Sequence, residues 1–151
     1  MKPRKYECPA FIGQGQEKYE KWLVGRARAH VIRDKERGNA TATVEAYKVA
    51  IHEAVVRSGG VDFYTGEQLD WTLLGRYSNA ESKANRRRHK ATLALLPTVD
   101  HVDDGSGAAD FVICAWRTND AKNDLSHNEF VELCRRVVAH YDRAFVARRS
   151  G

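Results

Sequence analysis

Between Asp100 and Lys122 the chain carries the residue types that hydrolysis of a phosphate diester needs. Such a reaction takes a proton from a water beside phosphorus and offsets the negative charge that builds on the oxygens. A histidine side chain ordinarily titrates near neutral pH, so it can take the proton. A divalent cation can offset the charge. Mg²⁺ asks for only one or two protein oxygens, with waters and substrate phosphate completing its shell. One His and two oxygen donors therefore suffice. Asp100 and His101 are adjacent, Asp110 follows His101 by nine residues, and Asn119 follows Asp110 by nine more.

The elements that must position these residues are legible around them. The apolar stretch from Leu95 to Val102 reads as a strand, and Asp103-Asp104-Gly105-Ser106-Gly107 as a polar loop. Asp110 to Trp116 reads as an apolar second strand, followed by a helix with Asn119 at its start. Neighbours on a strand point to opposite sides. Asp100 and His101 thus face one point only if the strand bends there. The aspartates and glycines of the loop raise a Ca²⁺ reading through Asp100, Asp103, Asp104 and Asp110. The spacing of an EF-hand, with its Glu at position twelve, is absent.

Strand, loop, strand and helix, with Asp-His closing the first strand and Asn-x-x-Lys on the helix, resembles the HNH nucleases and their ββα-metal fold. The resemblance covers about thirty residues of the 151. It implies that Asp100 and Asn119 bind a metal ion, Mg²⁺ or Mn²⁺, and that His101 is the general base. In that family an Asn commonly stands where this chain has Asp110, bracing the loop that orients the His. Asp110 is expected to keep that role by accepting backbone hydrogen bonds, since it cannot donate an amide. The segment from Cys114 to Asp124 is similar to the family's Cys-x-x-Cys-Asn-x-x-Lys-Gly-Asp ending at Asn119, Lys122 and Asp124. The paired cysteines are missing. Tyr64-Thr65-Gly66 stands where the first zinc pair would be, so no structural zinc is expected. Packing of Phe63, Tyr64, Leu69 and Trp71 has to replace that staple. Arg117 and Lys122 are expected on phosphates. Asn123 is a lesser ligand candidate, and the cap at Ser126 leaves His127 outside the set.

The net charge of +5 is concentrated in one place. Between Arg76 and Lys90 stand six Lys or Arg against Glu81 alone, so these 15 residues carry the whole formal net charge. Arg86, Arg87, Arg88 and Lys90 are the densest part. A basic patch on a neutral body suits a nucleic-acid backbone, although a solvated loop explains it as simply.

The rest of the chain supplies the scaffold. Tyr19, Trp22, Leu23, Ala27 and Val31 make an amphipathic helix over about 16–37, ended by Gly38-Asn39. Val44, Tyr47, Ile51, Ala54 and Val55 make a second, capped by Thr41 or Thr43 and ended by Ser58-Gly59-Gly60. His52 beside that stripe reads as structural. Thr65-Gly66-Glu67 reads as a tight turn between two short extended pieces. Ser126 and Glu129 form a capping box ahead of a long C-terminal helix striped with Phe130, Leu133, Cys134, Val137, Val138, Tyr141 and Phe145. The apolar stripes need a common core, and an extra exposed one would equally mark a dimer, so the oligomeric state stays open.

A fraction of 42% hydrophobic and 30% charged residues favours one ordered domain over a disordered chain. Within it we expect helices over 1–60, an HNH-like region over 61–125 with the basic insertion 76–90, and the last helix over 126–149. The fold class expected is α+β: N-terminal helices, a small ββα core and a long C-terminal helix. Cys8, Cys114 and Cys134 form no Cys-x-x-Cys and are expected as buried, reduced thiols. No run reaches the roughly 20 apolar residues of a membrane span, and no signal peptide opens the chain, so a cytoplasmic location without a membrane partner is expected. The function expected is a metal-dependent endonuclease acting on nucleic acid, with double-stranded DNA as the family's usual substrate. The alternative is a non-catalytic nucleic-acid-binding protein on a decayed HNH scaffold.

Overall fold

The computed structural model describes residues 2–76 and 86–149, with the backbone alone at Arg86, Arg87, His89, Val146 and Ala147. Its described elements are five helices and two strands, a mixed α+β arrangement. Helix α1 spans Gln16–Glu36 and α2 spans Val44–Ser58. A short helix α3, Arg86–Thr92, precedes strand β1, Pro97–His101. Strand β2, Phe111–Ala115, runs straight into helix α4, Trp116–Lys122. Helix α5, His127–Tyr141, closes the series. The chain divides into two compact units, 1–121 and 122–151.

In the first unit the two helical stripes meet. Tyr19, Leu23 and Ala27 of α1 pack in one core with Tyr47, Ile51 and Val55 of α2. Thr43 caps α2 by accepting the Ala46 N–H, and Gly59 ends it in the left-handed conformation at φ 58°, which glycine adopts without a Cβ clash. The hairpin lies against this pair. Strand β1 pairs antiparallel with β2 in the register Thr98–Cys114, Val99–Ile113, Asp100–Val112 and His101–Phe111. Val99, Phe111 and Ile113 join the helical core. On the basis of burial, every residue of β2 is inside, which fits its unbroken apolar sequence.

The turn at Thr65-Gly66-Glu67 is present, with Val61 bridged to Gln68 on either side. Its anchorage differs from the expected aromatic cluster. Leu69 and Trp71 are buried, but Phe63 is 57% exposed. The buried carboxylate of Asp62 does the fastening instead. Its Oδ1 accepts the Tyr64 and Thr65 N–H groups at 2.7 and 2.9 Å. Its Oδ2 accepts the Ala115 N–H at 2.7 Å and the Thr118 hydroxyl at 2.8 Å. One side chain thus ties the turn to the junction of β2 and α4.

Helix α4 also begins earlier than the sequence suggests. Its first two N–H groups, of Trp116 and Arg117, are satisfied by the carbonyls of Leu96 and Ala94. No capping side chain is needed, because these tertiary acceptors replace it. Asn119 therefore lies in the middle of α4 rather than at its start.

The second unit is dominated by α5. Ser126 and Glu129 form the expected capping box. The helix continues into a π turn at Asp142–Val146 and a 3-10 turn at Ala147–Arg149. No residue of α5 is buried. Cys134 is exposed and Cys8 half-buried, so only Cys114 of the three thiols is inside. Among the described residues, no helix is long and apolar enough to cross a membrane.

Candidate functional site

The hairpin presents two faces with different chemistry. Alternation along β1 places Thr98 and Asp100 on one side, and Val99 and His101 on the other. The regular pairing continues through His101–Phe111, so the ladder carries no bulge at Asp100-His101, where the HNH resemblance implies a bend.

On the first face, Asp100 is 9% exposed and lies 3.5 Å from the Tyr64 hydroxyl. That phenol is held above its ordinary range, first by burial and then by the Asp100 charge. Asn119 reaches the same face from α4. Its Nδ2 donates to Thr98 Oγ1 at 3.3 Å, while the Thr98 hydroxyl donates to the Cys114 carbonyl at 2.8 Å. The amide nitrogen is thereby occupied on Thr98, which fixes the orientation of the amide group and of its oxygen. Asp100 and Asn119, 19 positions apart in the chain, come to one side of the hairpin.

On the second face, His101 points toward α1. Its Nε2 is 2.7 Å from Oδ2 of Asp34. The ring packs against Phe111 and His30 at centroid distances of 4.9 and 5.0 Å. Tyr47 of α2 donates to the same Asp34 oxygen at 2.5 Å. Asp34 is completely buried, and its Oδ1 has no hydrogen-bond partner among the described residues. His30, one helical turn before Asp34, is buried too, and burial pushes its imidazole down to about 3, with the neighbouring His101 second. It is a neutral core residue at ordinary pH.

The loop after His101 is held by Asn39, in the connection between α1 and α2, and by the backbone of Asp110. The Asp110 side chain is exposed and sits 4.0 Å from Arg57. What Asp110 contributes is its carbonyl, which accepts the Val102 N–H at 3.1 Å. The amide donation comes from Asn39, whose Nδ2 reaches the Gly105 carbonyl at 2.8 Å and the Gly107 carbonyl at 3.3 Å. Asp103 and Asp104 turn inward on the loop, accepting the Gly105 and Ser106 N–H groups, as Asx turns do.

The basic residues stand on α3 and α4. Arg88 and Lys90 of α3 are exposed. Lys90 pairs with Asp120 at 3.0 Å, and Arg117 pairs with Glu67. Both pairs are solvent-exposed, so each holds its partner weakly and can exchange it for a phosphate. Lys122 is buried and does not share that exposure. Asn123 adopts φ 52° directly after α4, which is the left-handed residue that ends a helix and accounts for it without a ligand role. Residues 77–85 and the side chains of Arg86 and Arg87, the centre of the basic stretch, lie outside the described residues.

Asp34, His30, Asn39 and Asp62 are absent from the sequence-derived site. A signal for two of them exists. His30 and Asp34 fall on the apolar stripe of α1, beside Ala27 and Val31, and polar residues at core positions need partners.

Comparison with protein-family models, with curated proteins and with solved structures finds no match to this chain.

Proposed function

We propose that the chain is a divalent-metal-dependent endonuclease of HNH type that hydrolyses phosphodiester bonds, with duplex DNA as its first substrate. The observation that carries this reading is the Asn119–Thr98 contact at 3.3 Å. It sets a helix amide against the strand face that bears Asp100, after a hairpin whose second strand runs straight into the helix. The Asp100 carboxylate and the Asn119 amide oxygen would hold Mg²⁺ or Mn²⁺. Two oxygen donors meet what Mg²⁺ asks of a protein. When bound, the cation supplies positive charge against the phosphate oxygens.

The remaining work falls to side chains. His101 takes the proton of the attacking water. Arg88, Lys90 and Arg117 hold the nucleic-acid backbone by charge, with Arg86 and Arg87 beside them in the sequence. The exposed ion partners Asp120 and Glu67 are displaced as phosphates arrive.

A second reading has its own support. Asp100 and His101 lie on opposite faces of a regular ladder, which favours a nucleic-acid-binding protein whose cleavage chemistry is lost. Incubation of supercoiled plasmid with Mg²⁺, Mn²⁺ or EDTA separates the two. Nicking that EDTA abolishes, and that falls in Asp100→Ala and Asn119→Ala, supports the nuclease. Salt-sensitive binding without cutting in any metal supports the binder.

A further inference from the structure

We propose that Asp34, on helix α1 and outside the HNH-like segment, is the positioning residue of His101. It accepts the Nε2 proton and so fixes both the orientation of the ring and which nitrogen carries the lone pair. This rests on the nuclease reading for its catalytic meaning, but the geometry stands by itself. Asp34 Oδ2 is 2.7 Å from His101 Nε2. A carboxylate only accepts, so the contact assigns the proton to Nε2 and leaves Nδ1 as the basic nitrogen. A histidine that must accept a proton from water gains from having its other nitrogen held in this way.

Three features distinguish the pair from an incidental core contact. First, Asp34 is fully buried, yet Oδ1 has no donor among the described residues. A buried polar atom without a partner is uncommon and asks for an explanation. Second, Tyr47 and His101 converge on the same oxygen, Oδ2, so the phenol locks the carboxylate in the rotamer that meets the ring. Third, the loop backbone closes directly over the pair. A Cβ on Gly105 would stand 2.9 Å from both Asp34 Oδ1 and His101 Nε2. Gly105 is in turn held by Asn39, five residues after Asp34. Helix α1 and the connection that follows it therefore set the side chain of His101 and the loop after it.

The test is ¹⁵N-detected NMR of the histidine rings in the full-length chain, with the His101 signals assigned by comparison with His101→Gln. The wild type is expected to show His101 as the Nε2–H form when neutral. In Asp34→Asn that preference is expected to relax to a mixture. In Tyr47→Phe, which keeps the carboxylate but removes the bond that holds its rotamer, it is expected to weaken by less than in Asp34→Asn. Plasmid nicking is expected to fall about 10–100-fold in kcat for Asp34→Asn with KM for DNA unchanged, and to fall by less in Tyr47→Phe. An Nδ1–H form in the wild type, read without any variant, overturns the pairing. An Asp34→Asn enzyme that folds, keeps the Nε2–H form and keeps its rate overturns the positioning role. A wild type with the Nε2–H form but no nicking in any metal keeps the pairing and removes the nuclease reading.

Discussion

His101 and Asp34 stand 67 residues apart in the chain and 2.7 Å apart in the fold. The contact joins the end of β1 to the last turn of α1. The hairpin is therefore not an independent module laid on a helical support, because its histidine is seated by the support itself.

Removing the Asp62 carboxylate is expected to cost more than any surface change in the first unit. Asp62→Ala strands the Ala115 N–H and the Thr118 hydroxyl in the interior and frees the turn at Tyr64 and Thr65. Two to three buried groups left unpaired amount to about 3–5 kcal/mol. Urea denaturation should show that loss. Asp62→Asn keeps two acceptor contacts and should lose less. A change under about 1 kcal/mol for Asp62→Ala contradicts the fastening role.

Acid should weaken the fold through His30. Its folded value, about 3, lies below its ordinary 6.5 because the ring is buried. The unfolded chain then binds the proton first, so stability is complete above about pH 6.5 and declines as pH falls toward 3, by at most about 1.4 kcal/mol per pH unit. His101 of β1 and Arg33 and Arg26 of α1 add to the effect, and Asp34 opposes it. Melting temperatures across this range should fall less steeply in His30→Leu than in the wild type. Equal slopes contradict a neutral buried ring.

Salt dependence of DNA binding should reveal Lys90 and Arg117 as phosphate contacts. Each is exposed and only loosely engaged, with Asp120 and Glu67. Replacing either by Ala should lower the slope of log K against log salt by about 0.9, with a stability change within about 0.5 kcal/mol. Fluorescence anisotropy with a labelled duplex measures it. Unchanged slopes remove these residues from the interface.

What could be seen in the sequence was local. The stripes of α1 and α2, the Thr43 cap, the Ser126–Glu129 box and the turn at Gly66 all follow from spacing within a few residues. The two strands are also where the apolar runs put them. What could not be seen depends on distant partners. Asp62 falls in a short extended piece before the turn, and only the fold shows its second oxygen on Ala115 and Thr118. Trp116 offers no cap, because the acceptors for α4 come from Leu96 and Ala94 ahead of β1. Phe63 looks like core material but faces outward, since Asp62 and not an aromatic cluster closes the turn. His30 and Asp34 interrupt an apolar stripe, which singles them out, but nothing near them names His101 as the residue that both touch.

Nicking of supercoiled plasmid by the wild type and by His101→Ala, side by side in Mg²⁺ or Mn²⁺ and with EDTA, tests the proposed activity most directly. Metal-dependent nicking by the wild type, lost with EDTA and reduced by about 100-fold or more in His101→Ala, is the expected result. Nicking that survives His101→Ala, or a wild type that binds DNA and cuts it in no metal, contradicts the nuclease mechanism.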